Sequence, residues 1–186
     1  MTSGSTPRLR SAWTAVRVRL CRPVVAQHRL VYRFDLQGSA PDVAPSVGVE
    51  FTIEPFQGGD REFVVRGTVS GREAYRMRLS LAREDIARLV PCCPVGEGDI
   101  FLYDCHTEAD QRGRNIYPAA LAHTLRAFQR PGHASAFIRV RADNHASIRG
   151  IEKAGFHLCG SAHHVSILGF PLRPFGRSRG KAGRGS

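Results

Sequence analysis

The residues Arg112-Gly113-Arg114-Asn115 stand between a β-branched and aromatic run, Ile100 to Thr107, and an apolar segment that opens at Ile116. A glycine-bearing turn that leads into a helix is suited to holding an anion. The first N–H groups of a helix have no partner inside it, the helix dipole adds about half a positive charge there, and guanidinium groups grip phosphate oxygens two at a time. Further along, Asn144, Ser147, Glu152 and Lys153 precede Gly155-Phe156, and Asn144 is a favoured residue for capping a helix start. The run before the turn carries Tyr103, Asp104, Cys105 and His106, side chains able to move protons or attack an acyl group. On an unbroken strand Phe101, Tyr103, Cys105 and Thr107 share one face, and Leu102, Asp104, His106 and Glu108 share the other.

The stretch Arg112-Gly113-Arg114-Asn115-Ile116-Tyr117 resembles the Q/R-x-x-G-x-G/A signature of the GNAT superfamily of N-acetyltransferases. Asn144 to Ile148, followed by Glu152-Lys153-Ala154-Gly155-Phe156, is similar to that family's second motif, N-x-x-(A/S)-I then E-K-x-G-F. The resemblance covers about Phe101 to Gly160. It implies an α/β fold, a single domain with a mixed, mainly antiparallel sheet flanked by helices. It also implies direct transfer of an acetyl group from acetyl-CoA, as co-substrate and without a metal, to a primary amine of a small molecule or of a larger acceptor. Thr107, Arg112, Gly113, Arg114, Asn115, Ile116, Tyr117, Asn144 and Ser147 are the residues it implies for holding the cofactor.

Three positions depart from the family pattern. Asn115 stands at the central glycine, and asparagine is the residue that best tolerates left-handed backbone after glycine. Tyr117 replaces a small residue where helix and cofactor come close, while Pro118 suits the first turn of a helix. Ile151 stands where many members carry a tyrosine that reprotonates the leaving thiolate, so that role does not carry over.

Amide formation requires an amine with a pKa near 10 to lose its proton, meet the thioester carbonyl and have the developing oxyanion stabilised. The resemblance implies that the strand before the turn splays from its neighbour and that catalytic side chains on it lie on the face of Phe101 and Tyr103. Tyr103 is accordingly assigned as proton donor or water-organising group, with Cys105 beside it; a packed core aromatic is the other reading of Tyr103. Asp104 with His106 is a weaker candidate because residues two apart on a strand are only near neighbours, and an acyl-cysteine at Cys105 is weaker because no suitably paired base is evident. Arg139 and Arg141 alternate with Ile138 and Val140 and could meet the cofactor's 3′-phosphate or an acidic acceptor.

The elements that must position these residues follow from periodicity. Arg29–Leu36, Val47–Ile53, Glu62–Val69 and Ala74–Ser80 read as strands, with Ser70-Gly71 as a hairpin turn, 38–45 as a loop and Leu81–Leu89 as a short helix. The usual pair of helices after the family's first strand is missing, since Pro55–Asp60 is only a loop. Leu9, Trp13, Val16 and Leu20 have helical spacing, so 1–23 reads as a basic N-terminal extension that can be helical, 24–172 as the acyltransferase domain and 173–186 as a disordered basic tail.

The chain of 186 residues has a net charge of +11, carried by its ends. Arg8 to Arg33 holds seven arginines and no acid, and Arg173 to Arg184 holds four arginines and one lysine, while 34–172 balances 15 bases against 16 acids. Such ends can attract nucleic acid without sequence preference, but 25 arginines against two lysines points to a general arginine bias. Nucleic acid is therefore not the expected partner. Five unevenly spaced cysteines suit a reducing cytoplasm, and adjacent Cys92-Cys93 lacks a chelating gap. No run approaches a membrane span. A homodimer is compatible with this reading, a non-catalytic acyl-CoA-binding or regulatory module is the alternative function, and a basic nucleic-acid-associated protein is the third.

Overall fold

Alternation decides the front of the sheet. In Arg72–Ser80, Tyr75, Met77 and Leu79 are buried on one face while Arg76 and Arg78 point to the other, so the segment pairs as a strand with one face on a core. The computed structural model describes residues 25–57, 59–167, 170–171 and 175–178. Its strands are β1 (Val25–Asp35), β2 (Glu50–Pro55), β3 (Glu62–Val69), β4 (Arg72–Ser80), β5 (Ile100–Thr107), β6 (Ser135–Arg141), β7 (His157–Ile167), β8 (Phe170–Pro171) and β9 (Phe175–Ser178). Its helices are α1 (Arg83–Leu89), α2 (Ile116–Phe128) and α3 (His145–Lys153), with a 3-10 turn at Ala109–Gln111. Together they form a single mixed α/β domain.

The expected meander is present: β2, β3, β4 and β5 follow one another antiparallel. Ser70 and Gly71 both have positive φ, 49° and 76°, as a tight hairpin requires. The sheet order β2-β3-β4-β5-β6-β1-β7-β8, with β9 on β7, contains one long excursion. β1 does not begin the meander; it inserts antiparallel between β6 and β7. The second expected strand starts later than its alternation suggested, at Glu50, because 36–49 runs as a loop toward α2. No helix of the described residues lies between β1 and β3.

Helices cover the sheet unequally. α2 places Ile116, Ala120, Leu121, Leu125 and Phe128 on the main core, and α3 adds Ile151 beside them. α1 covers the other face, where Ile86 meets Val31, Phe101 and Phe137. Arg130-Pro131-Gly132 follows the end of α2, while Gly155, at φ 86°, lets the chain leave α3 in left-handed geometry and bury Phe156. Cys93 and Cys159 are joined by a disulfide, with Cα atoms 6.9 Å apart, where the cysteine count had suggested free thiols. Cys92 remains free, its sulfur 3.8 Å from that of Cys93.

The expected helix around Leu9 to Leu20 lies outside the described residues. Phe175–Ser178, inside the stretch read as a disordered tail, instead pairs with Gly160–His163 of β7. No described helix is long and apolar enough to cross a membrane.

Candidate active site

β5 and β6 run parallel and pair only at Ile100–Ala136, Phe101–Phe137 and Leu102–Ile138. Beyond that point β5 continues to Thr107 and β6 to Arg141 with no pairing between them. The sheet therefore opens at its centre, leaving two facing edges of unpaired backbone.

A bulge lies beside this opening. Arg76 pairs with His106 and Arg78 with Tyr103, so Asp104 and Cys105 together oppose Met77, and Asp104 takes φ 51°. One extra residue reverses the alternation. Tyr103 points to the α1 face with Phe101, whereas Cys105 packs on the α2/α3 face. The expectation that Tyr103 and Cys105 share a face is thus corrected.

On the α2/α3 face a cleft of about 670 Å³ runs along the turn before α2. Thr107, Arg112, Gly113, Asn115, Ile116, Tyr117, Asn144 and Ser147, all expected from sequence, line it. Asn115 has φ 61°, the left-handed geometry asparagine was expected to supply. Gly113, at φ 79°, has no atom within 4 Å of where a Cβ would stand. The N–H groups from Gly113 to Tyr117 make no hydrogen bond among the described residues.

Arg114 is the exception to the expected set: it does not line the cleft, and its carbonyl accepts from Ser46 N–H at 2.9 Å in the 36–49 loop. Arg112 is exposed and donates from Nε to Thr107 O at 3.1 Å. The other cations of the cleft come from α3, as Arg149 and Lys153. Lys153 also donates to Asn115 Oδ1 at 2.9 Å, and Asn115 Nδ2 donates to Ala44 O, so the turn is held from both sides. Glu152 accepts from the Tyr32 hydroxyl at 3.0 Å, tying α3 to β1. Asn144 caps α3 by accepting from Ser147 N–H at 3.1 Å, and it lines the cleft as well.

Tyr117 fits because of a glycine on the neighbouring helix. A Cβ at Gly150 would stand 2.6 Å from Tyr117 Cδ1, so its absence is what lets the ring approach α3 this closely. The Tyr117 hydroxyl accepts from Ser147 Oγ at 3.1 Å. Ile151, at the family's tyrosine position, is wholly buried in the core.

A second cleft, about 440 Å³, occupies the opening itself. It shares Cys105, Tyr117, Asn144 and Ser147 with the first and adds Phe101, Tyr103, Arg29 and Arg139 from the other face. A third hollow of about 270 Å³ adjoins it through Leu89, Phe101 and Tyr103 and contains Glu62 and Asp85. The three form a passage through the sheet. At its far end the Tyr103 hydroxyl donates to Glu62 Oε2, and the Arg78 guanidinium lies over the Phe56 ring at 3.9 Å and the Tyr103 ring at 5.4 Å.

Burial, then the contact with Glu62, pushes the Tyr103 phenol up to about 12. Burial likewise pushes the Cys105 thiol up to about 12, which keeps it protonated and poorly nucleophilic. His106 lies exposed beside Glu108, at 3.6 Å from Oε1. Sequence reasoning missed Glu62, because β3 brings it to Tyr103 from 41 residues away and no local pattern marks it. It missed Gly150 as the partner of Tyr117 for the same reason.

No family model matches the chain, and no curated protein matches it. Solved structures do. A GCN5-related N-acetyltransferase from Sphaerobacter thermophilus is similar with a TM-score of 0.57 at 14% identity, over 86% of this chain and 57% of that one. A GCN5-related N-acetyltransferase from Kribbella flavida gives 0.55 at 13% identity, over 84% and 63%. A Drosophila protein gives 0.56 at 9% identity, over 85% and 58%. The chain thus spans less than two thirds of the length of each of these structures. At such identities the likeness concerns architecture: the chain has the fold of the GCN5-related N-acetyltransferases.

Proposed function

We propose that the chain is an N-acyltransferase that moves an acetyl group from acetyl-CoA directly to a primary amine. The observation that carries this reading is the parting of β5 and β6, which lies between a cleft lined by cations and unpaired amides on one face and a carboxylate-bearing hollow on the other. The residues present fit a nucleotide thioester. Unpaired amides from Gly113 to Tyr117, an open turn at Gly113, and the cations Arg112, Arg149 and Lys153 suit a diphosphate, and the bare edges of β5 and β6 suit an amide-bearing arm. When bound, acetyl-CoA would supply the activated acyl group.

Tyr103 and Glu62 are the groups we assign to proton transfer. With its phenol held near 12, Tyr103 remains protonated and relays: it passes its proton to Glu62 as it receives one from the acceptor's ammonium. The Tyr117–Ser147 hydroxyl pair, where the first two clefts meet, can return a proton on the sulfur side. Cys105 enters as a neutral wall of the passage, its raised pKa arguing against an acyl-cysteine.

The burial of Ile151 favours one second reading, a non-catalytic acyl-CoA-binding module on the same fold. Thermal unfolding with acetyl-CoA tests the shared premise: a shift at saturating cofactor is expected, and none would remove both readings. Thiol release with a mixed amine panel then separates enzyme from module.

A further inference from the structure

We propose that the acceptor is an amine that also bears a carboxylate, and that Arg29 and Arg139 hold this carboxylate beside the opening in the sheet. The inference rests on the acyl-transfer reading and names its substrate class.

Arg139 lies on β6 between Ile138 and Val140, which face the main core, so its side chain projects to the α1 face where Tyr103 also points. Arg29 lies on β1, with Leu30 and Tyr32 on the main core, and projects to that same face. Both are half-buried and both line the 440 Å³ cleft. Each guanidinium has one hydrogen bond among the described residues: Arg29 Nη2 donates to Gln27 Oε1 at 2.7 Å, and Arg139 Nη1 donates to Leu89 O at 3.2 Å.

Neither forms an ion pair among the described residues. Arg141, also on this cleft, differs, because Asp143 Oδ1 accepts from its Nε at 2.9 Å. Burial and then the charge of Arg29 lower the Arg139 pKa, so Arg139 feels the neighbouring cation without an ion-pair partner of its own among the described residues. Asp104 is the one carboxylate lining the cleft; it is exposed and bridges to none of these arginines.

Two partly desolvated guanidiniums, each with several N–H donors to spare, fit one carboxylate, and binding it relieves their repulsion. On the other side of Tyr103 stands Glu62, which suits an ammonium group, while Asp85 in the same hollow is already paired with Arg88 at 3.7 Å. The arginine pair and Glu62 therefore stand on opposite sides of the proposed proton relay, as the two charged ends of an amino acid require. A polyamine would place a second ammonium against the arginine pair and is disfavoured.

The same guanidiniums could instead take a phosphate of the donor, and the test separates the two sources. With full-length protein and acetyl-CoA, thiol release is followed for free amino acids against their carboxamides. Carboxylates are expected to be used about tenfold better in kcat/KM, the size of one charge-assisted contact. Arg139→Gln should raise KM for the carboxylate about tenfold with a smaller change in kcat, leave the carboxamide's kinetics unaltered, and leave acetyl-CoA affinity intact, while Arg139→Lys recovers part of the loss. Carboxamides used equally well would overturn the proposal, and so would an Arg139→Gln loss that falls on acetyl-CoA affinity.

A binding arm keeps the result decisive whatever the turnover. Thermal shift by N-acetyl amino acids, in the absence of acetyl-CoA, should vanish in Arg29→Gln and Arg139→Gln proteins whose circular dichroism is unchanged. Absence of thiol release with every amine refutes the transferase reading alone; the carboxylate site then stands or falls on that shift.

Discussion

Replacing Gly150 by alanine should destabilise the protein, against the ordinary preference of a helix. In a helix interior the exchange normally gains about 1 kcal/mol. Here the new Cβ would stand 2.6 Å from Tyr117 Cδ1 and 2.9 Å from Cε1. The ring has little room to retreat, because its hydroxyl is held by Ser147 and the fully buried Tyr75 lies behind it with ring centroids 6.1 Å apart. Over-packing of this kind costs about 1–3 kcal/mol, so a net loss of about 1 kcal/mol is expected. With Tyr117→Ala in the background the clash disappears, and Gly150→Ala should stabilise by about 1 kcal/mol. Urea unfolding of the four proteins in the cycle, followed by circular dichroism, should therefore give a coupling of about 2 kcal/mol. Equal stabilisation in both backgrounds would refute the reasoning, since it would mean that Tyr117 leaves α3 at no cost.

Four further outcomes are expected. Tyr103→Phe and Glu62→Gln should each lower turnover by about a hundredfold while acetyl-CoA affinity holds, and unaltered turnover would return Tyr103 to a packing role. Arg112→Ala with Lys153→Ala should weaken acetyl-CoA binding about tenfold by calorimetry, whereas Arg114→Ala should do little; a larger effect at Arg114 would place the phosphate elsewhere. All four tyrosines lie above the ordinary value of 10, Tyr32 and Tyr103 at about 12 and Tyr75 and Tyr117 raised well above it, each chiefly through burial. The folded state thus keeps phenolic protons that the unfolded chain releases, a contribution whole below pH 10 and lost as pH rises through about 12, so tyrosinate absorbance appearing near pH 10 in folded protein would contradict it. Reducing Cys93–Cys159, 66 residues apart in sequence, should lower the unfolding free energy by about 2–4 kcal/mol, read as a drop in the denaturant midpoint.

Local chemistry made much of this protein legible before any coordinates. Alternation marked β3 to β5, the positive-φ pair Ser70-Gly71 marked a hairpin, and Asn115 kept the left-handed turn that glycine usually provides. Asn144 and Ser147 were legible because helix capping is a local event. These features depend on neighbours within a few residues, where spacing and backbone preference suffice.

Tertiary structure decided the rest. The bulge at Asp104 comes from how β4 and β5 are matched, and it alone puts Tyr103 and Cys105 on opposite faces. Arg114 does not line the cleft, its carbonyl being bonded to the 36–49 loop, and Lys153 and Arg149 supply the cations instead because α3 packs alongside the turn. Glu62 meets Tyr103, and Arg29 comes to line one cleft with Arg139, only once β3 and β1 have found their places in the sheet. A residue's type and spacing thus determined what it can do, whereas the long-range pairing of strands determined which partners it does it with, because hydrogen-bond registry between distant segments leaves no periodic trace in either one.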